Sequence, residues 1–219
     1  MTNNQPTDVK IIMVGAINVG KTSLVTKYAS GKNPGKTTST KNASFILKRK
    51  NINGINYNIK LWDTAGQEKY KSLTQIFMKD SKIALLVYSI DSEESFQSLD
   101  SWLELIKKSN DDDIILGLIA NKIDLASDNT ISNERGQDYA KKIGATFKAT
   151  SAIMENENID GLIDVLFEKY YQSNLNKTNS LSLTISIDDS RIQKGGCCGG
   201  GGSKTSIPAN HKKVYKTKK

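Results

Sequence analysis

Residues 15–22 read Gly-Ala-Ile-Asn-Val-Gly-Lys-Thr and follow directly on the apolar run Val9–Val14. This G-x-x-x-x-G-K-[ST] stretch constrains the fold more than any other. A continuous apolar run reads as a buried parallel strand, Ser23–Ser30 reads as a helix, and a glycine-framed turn joins them. Gly15 and Gly20 let the backbone curl, so that the N–H groups of Ala16, Ile17, Asn18 and Val19 point inward at phosphate oxygens. Lys21 reaches the outer phosphates as a point charge, and Thr22 offers its hydroxyl to Mg²⁺. The helix start at Thr22 and Ser23 favours the same anion through its dipole. The ordinary alternative is a chance match in a glycine-containing turn; the strand before and the helix after weigh against it.

The rest of the chain alternates strands and helices. Ala43–Asn51 and Ile55–Trp62 flank Asn53-Gly54, a hairpin signal that makes the second and third strands antiparallel neighbours. Ile83–Ser89 and Ile114–Ala120 read as two further buried strands, and Thr146–Thr150 as a weaker sixth. Asp91-Ser92-Glu93-Glu94 resembles a capping box, opening a helix striped by Phe96, Leu99, Leu103 and Ile106. Ser132 caps a helix carrying Tyr139, Ala140 and Ile143, with Gly144 as its stop. Ile159, Leu162, Ile163, Leu166, Phe167 and Tyr170 have the cleanest helical period. The pattern predicts an α/β fold: a six-stranded, mostly parallel sheet with one antiparallel edge strand and helices on both faces. Ligands of such sheets bind beyond the carboxyl ends of the strands, where Gly15–Thr22 falls. The expected division is a flexible N-terminus over 1–8, a folded domain over 9–172 and a disordered tail over 173–219.

Composition narrows the class. An apolar content of 37% fits a folded domain diluted by polar segments. Of the net charge of +8, six positive charges are the lysines between Lys204 and Lys219, a stretch without an acid, so the folded part is not strongly basic. No nucleic-acid module is expected, and the basic end fits an anionic membrane surface or a solvated tail. The two cysteines, Cys197 and Cys198, are adjacent and resemble neither a disulfide framework nor a zinc site. Met1–Asp8 lacks the apolar region of a signal peptide, and the longest apolar runs are too short to span a bilayer. The expected location is the cytosolic side.

Four further motifs sit at predicted strand ends. Asp63, opening Asp63-Thr64-Ala65-Gly66-Gln67, is placed to hold Mg²⁺ through water, and Gly66 to give its N–H to a terminal phosphate. In Asn121-Lys122-Ile123-Asp124, Asp124 accepts hydrogen bonds from the N1–H and exocyclic amine of guanine, a donor pair that adenine lacks. Thr150-Ser151-Ala152 offers a backbone N–H to the guanine oxygen, and Thr40 sits in a polar loop placed to close over Mg²⁺ and the terminal phosphate. Each has an ordinary reading: a helix cap, a turn, one loop threonine among many. Their joint order at strand ends does not.

On these motifs the stretch from Val9 to Gln172 resembles the Ras-like small GTPases, and among them the Rab family. The Rab-like segments are Ile59–Trp62 leading into the aspartate, Lys69–Thr74 after it, and Leu86–Ile90 with Glu93–Phe96. The resemblance implies a monomeric switch that binds GTP or GDP with Mg²⁺ and regulates vesicle traffic and protein transport at the cytoplasmic face of an intracellular membrane. Catalysis would rest on positioning and electrostatics through Gln67, which orients the attacking water, with Lys21 and Thr40. Metal ligands would be Thr22, Thr40 and, through water, Asp63. Exchange factors, activating proteins and effectors would bind loops within 32–45 and 66–79, ordered by GTP and released on hydrolysis.

The chain also departs from that family. Asn33 stands where the family carries an aromatic against the guanine ring; faster nucleotide release follows unless Tyr28 or the Lys32 stem covers the ring. Ile17 stands where a small residue is usual and is expected to slow hydrolysis by crowding the water or an incoming arginine finger. Together these two define an alternative: a fast-exchanging, poorly hydrolysing GTP-bound binding module. Lys41 and Asn42 replace an apolar residue and a glycine, making a more basic loop with Lys36, and Ile153 replaces a lysine. Cys197 and Cys198 match the paired cysteines that receive prenyl groups in this family, but Gly199 to Lys219 follow them, and the usual prenylation signal is terminal. Removal of that extension, palmitoylation, and no lipidation all remain open.

Overall fold

The alternation of side chains along β1 (Thr7–Val14) assigns two faces: Val9, Ile11 and Met13 enter one core, Ile12 and Val14 another, and all five are fully buried. A strand buried on both faces is central. β1 pairs in parallel with β3 (Ile55–Asp63) and β4 (Ile83–Ser89). β2 (Ser44–Ile52) lies antiparallel to β3, and β5 (Ile115–Asn121) and β6 (Thr146–Ala149) continue in parallel beyond β4, in the order β2-β3-β1-β4-β5-β6. This is the expected sheet. The computed structural model describes residues 6–35, 40, 43–52, 54–64, 71–110, 113–128 and 130–189, with 71–74 and 177–189 described in backbone only. It divides into two units, Met1–Asn176 and Lys177–Lys219.

Helices cover both faces. Leu24, Val25 and Tyr28 of α1 (Lys21–Ser30) pack with Leu162, Ile163, Leu166 and Phe167 of α6 (Asp160–Asp189) over Val9, Ile11 and Met13. On the other face Met78 ends α2 (Lys71–Met78). It joins Phe96 of α3 (Glu93–Gln97), Leu99, Trp102 and Ile106 of α4 (Leu99–Ser109) and Ala140 of α5 (Asn133–Ile143). The predicted caps form: Ser92 Oγ accepts from Ser95 N at 3.1 Å, Ser132 Oγ from Arg135 N at 3.3 Å, and Gly144 N–H closes the last turn of α5.

Several boundaries differ from the sequence reading. β1 starts before Val9 because Thr7 and Asp8 pair with Tyr57 and Asn58, and Asp8 binds Lys60. The stretch after Ser92 is two helices rather than one, meeting at Ser98, whose hydroxyl turns back to Ser95 O at 2.8 Å. α2 lies within what reads as the Gly66–Lys79 loop. α6 runs past Gln172 to Asp189. No described helix is long and apolar enough to cross a membrane.

Candidate functional site

The carboxyl ends of β1, β3, β5 and β6 bring together Gly15, Asp63, Asn121 and Ser151, because parallel strands all end on the same side. Two glycines of the first loop are required by contact. At Gly15 (φ +149°) an added Cβ would lie 2.1 Å from Val87 O, and at Gly20 (φ +91°) 2.3 Å from Asn121 Nδ2. Asn18 adopts φ +62°, a left-handed conformation that asparagine tolerates. Val19, 1% exposed, anchors the loop in the core, Ala16 packs at its edge, and Ile17 is 42% exposed. Lys21 is buried and donates from Nζ to Gly15 O at 2.9 Å and Ala16 O at 2.8 Å, so its charge lies along the inside of the loop. Burial pulls the Lys21 ammonium down to about 8, opposed by the nearby Asp63 charge.

Beside it three oxygen donors converge. Thr22 Oγ1 donates to Asp63 Oδ2 at 2.5 Å and lies 2.6 Å from Thr40 Oγ1. Asp63 Oδ1 is buried and has no hydrogen-bond partner among the described residues. Burial raises the Asp63 carboxyl pKa, while the Thr22 hydrogen bond, the Lys21 charge and the Thr40 hydroxyl pull it back. A hard divalent cation of Mg²⁺ type suits this set: one carboxylate with an open buried oxygen and two hydroxyls. Ser23, half-buried, follows on α1.

A second cluster lies at the ends of β5 and β6. Asn121 Nδ2 donates to Val19 O at 2.7 Å, locking the two loops together, and Asn121 Oδ1 is buried with no partner among the described residues. Lys122, at φ +65°, turns the chain, and its ammonium lies 3.6 Å from Asp91 Oδ1. Asp124 is exposed; its Oδ1 accepts from Ser151 Oγ at 2.5 Å, and that Oγ accepts from Ile153 N and Met154 N. Ser151 and Ala152 are buried. A carboxylate held at the rim by a buried serine has the chemistry to accept from a pair of N–H donors.

The sequence reading missed Lys27. It sits on α1 at 5% exposure and donates to backbone carbonyls of the 151–157 loop. Its spacing was the available signal, since Lys27 falls at i+3 from Leu24 on the stripe that Tyr28 continues. Tyr28 itself is core, 3% exposed, with Lys48 Nζ 3.9 Å from its ring centroid, so it is not free to cover a base; Asn33 and Lys32 are exposed. Gly66, Gln67, Lys36, Lys41, Asn42, Cys197 and Cys198 lie outside the described residues.

The Ras family profile matches residues 10–172. Ras-related protein Rab-21 of Homo sapiens is 35% identical over 206 residues, covering 88% of this chain and 91% of that protein. Ras-related protein RabJ of Dictyostelium discoideum is 35% identical over 170 residues, covering 78% of this chain and 65% of that protein. Ras-related protein Rab-30 of Homo sapiens is 35% identical over 153 residues, covering 70% and 75%.

Proposed function

We infer the function from one premise: the chain belongs to the Ras family and is a Rab-like small GTPase, an enzyme that hydrolyses GTP to GDP. Proteins of this family bind guanine nucleotides and Mg²⁺ and meet exchange factors, activating proteins and effectors. The role of this chain is that of a nucleotide switch in vesicle traffic. The observation that carries the assignment of its site is the pairing of two clusters at one end of the sheet: Thr22–Thr40–Asp63 on the phosphate side and Asp124–Ser151 on the base side.

In this reading residues 15–20 wrap the phosphates with backbone N–H groups, and Lys21 neutralises the outer ones. Thr22 and Thr40 hold the metal directly and Asp63 through water; bound there, Mg²⁺ neutralises charge developing on the phosphates. Asp124 and the Ala152 N–H read guanine, Asn121 fixes the base loop against residues 15–20, and Lys122 contributes to nucleotide binding. The roles proposed for Gly66 and Gln67 are an N–H donor to the terminal phosphate and the group that orients water. The exposed Phe45 and Ile76 support effector binding within 32–45 and 66–79. Phe45 stacks on Trp62 at 4.8 Å, and Trp62 on Phe77 at 5.7 Å, leaving an aromatic face. We further propose that the chain acts as a monomer at a cytoplasmic membrane face, with the basic end meeting anionic lipid and Cys197 and Cys198 as lipidation sites. Intact mass of the protein from its own cells tests the last point: no added lipid mass removes it.

The central test is nucleotide turnover on the purified chain. GTP is expected to outcompete ATP, and bound GTP to decay to GDP in a single turnover that speeds up in Ile17→Gly. Equal competition by ATP would remove the role given to Asp124, and an unchanged rate in the variant would clear Ile17 of crowding. The relatives give no support to the alternative of a poorly hydrolysing module. Because Tyr28 is buried, Asn33→Phe is expected to slow GDP release by about tenfold to a hundredfold by adding a stacking face. Stopped-flow release from both proteins checks it, and equal rates would show that Asn33 is not beside the base.

A further inference from the structure

A buried lysine on α1 holds the loop that reads the base. Lys27 donates to Ser151 O at 3.0 Å, to Met154 O, and to Glu157 O at 2.6 Å. Three N–H donors meet three carbonyls, which compensates the loss of water around the ammonium. All three acceptors belong to the segment after β6. Within the segment the Ser151 hydroxyl takes the Ile153 and Met154 N–H groups and Ala152 is buried, while Ile153 is 54% and Met154 44% exposed. Lys27 adds a tie from outside the segment, joining three of its backbone carbonyls to α1. The same segment carries Ser151, whose hydroxyl fixes Asp124. α1 therefore grips both ends of the site: Lys21 and Thr22 in its first turn at the phosphate side, Lys27 one and a half turns on at the base side.

We propose that Lys27 is a positioning residue for guanine recognition: by tying residues 151–157 to α1, it sets the orientation of Ser151, Ala152 and, through Ser151, Asp124. This rests on the guanine-nucleotide reading above. Asp124 and Ser151 select the base only if their loops keep register. Loss of these hydrogen bonds would take the ammonium from Ser151 O and Glu157 O, leave Met154 O with only the Glu157 N–H at 3.4 Å, and let the loop drift.

The test uses the full chain as wild type, Lys27→Met, Lys27→Gln and Lys27→Arg, with release rates for GDP and for inosine diphosphate. The inosine nucleotide keeps the base oxygen but lacks the exocyclic amine that Asp124 accepts from. Lys27→Met is expected to release GDP about tenfold to a hundredfold faster and to lose part of its preference for GDP over inosine diphosphate. Lys27→Arg, which still offers several donors, is expected to restore both, and Lys27→Gln to fall between. Lys27→Gln keeps a polar donor at the site and serves as the comparison where Lys27→Met does not fold. An unchanged GDP rate overturns the proposal. So does equal acceleration of both nucleotides, which is what a merely structural role would produce. A wild-type chain that does not discriminate GDP from inosine diphosphate or ADP would instead overturn the guanine reading itself.

Discussion

Gly15→Ala is expected to lower the melting temperature by about 6–20 °C and to abolish measurable GDP binding. An alanine Cβ would lie 2.1 Å from the carbonyl oxygen of Val87. That oxygen is backbone of β4, a strand paired on both sides and fully buried, so it has nowhere to go. The conformation adds to the clash, because φ of +149° is one that side chains rarely adopt. Overpacking and backbone strain together cost about 3–5 kcal/mol. The loop would yield before the sheet does, which takes the N–H groups of residues 16–19 out of register. Gly35→Ala is the control: nothing lies within 4 Å of its added Cβ, and its effect is expected within about 0.5 kcal/mol. Thermal melts and GDP titration of both variants check the contrast. Identical melts would show that the strand carbonyl yields after all.

Asp124→Asn is expected to weaken GDP binding by about a hundredfold to a thousandfold, with a partial return of affinity for xanthosine diphosphate. The carboxylate has two acceptor oxygens for two N–H groups of guanine, and hydrogen bonds to a charged group contribute about 1.5–3 kcal/mol each. Asparagine keeps one acceptor and turns a donor toward a donor. Xanthine carries an oxygen in place of the exocyclic amine, so the new amide meets an acceptor. The Ser151 hydroxyl can still donate to the asparagine oxygen, so the loop contact seen with Asp124 Oδ1 survives and the loss concerns the base alone. Competition titrations with both nucleotides check it; unchanged GDP affinity would mean that another group reads the base.

Gly15 and Lys27 differ in how far sequence alone makes them legible. Gly15 and Gly20 are local demands of a tight loop, and the chain states them as glycines. Lys27 is a tertiary demand: in sequence it is one lysine on an amphipathic helix, and only the packing of the 151–157 segment over α1 makes it a donor to three carbonyls. α2 is missed for another reason: Leu73, Ile76 and Phe77 do stand at i, i+3 and i+4, but the stripe is only two turns long and falls within the stretch 66–79 read as a loop. The break at Ser98 is invisible because the apolar stripe runs on through Leu99 and Leu103 across the point where one helix ends and the next begins.

By itself the sequence determined the class of fold and the chemistry of its first loop, because buried runs, glycine turns and caps act over a few residues. The tertiary structure alone decided the contacts within the site. Thr22 meets Thr40 across 18 positions and Asp63 across 41, and Lys27 reaches Ser151 across 124. Those distances in sequence close because a parallel sheet delivers the carboxyl ends of its strands to one edge, where side chains chosen far apart become one site.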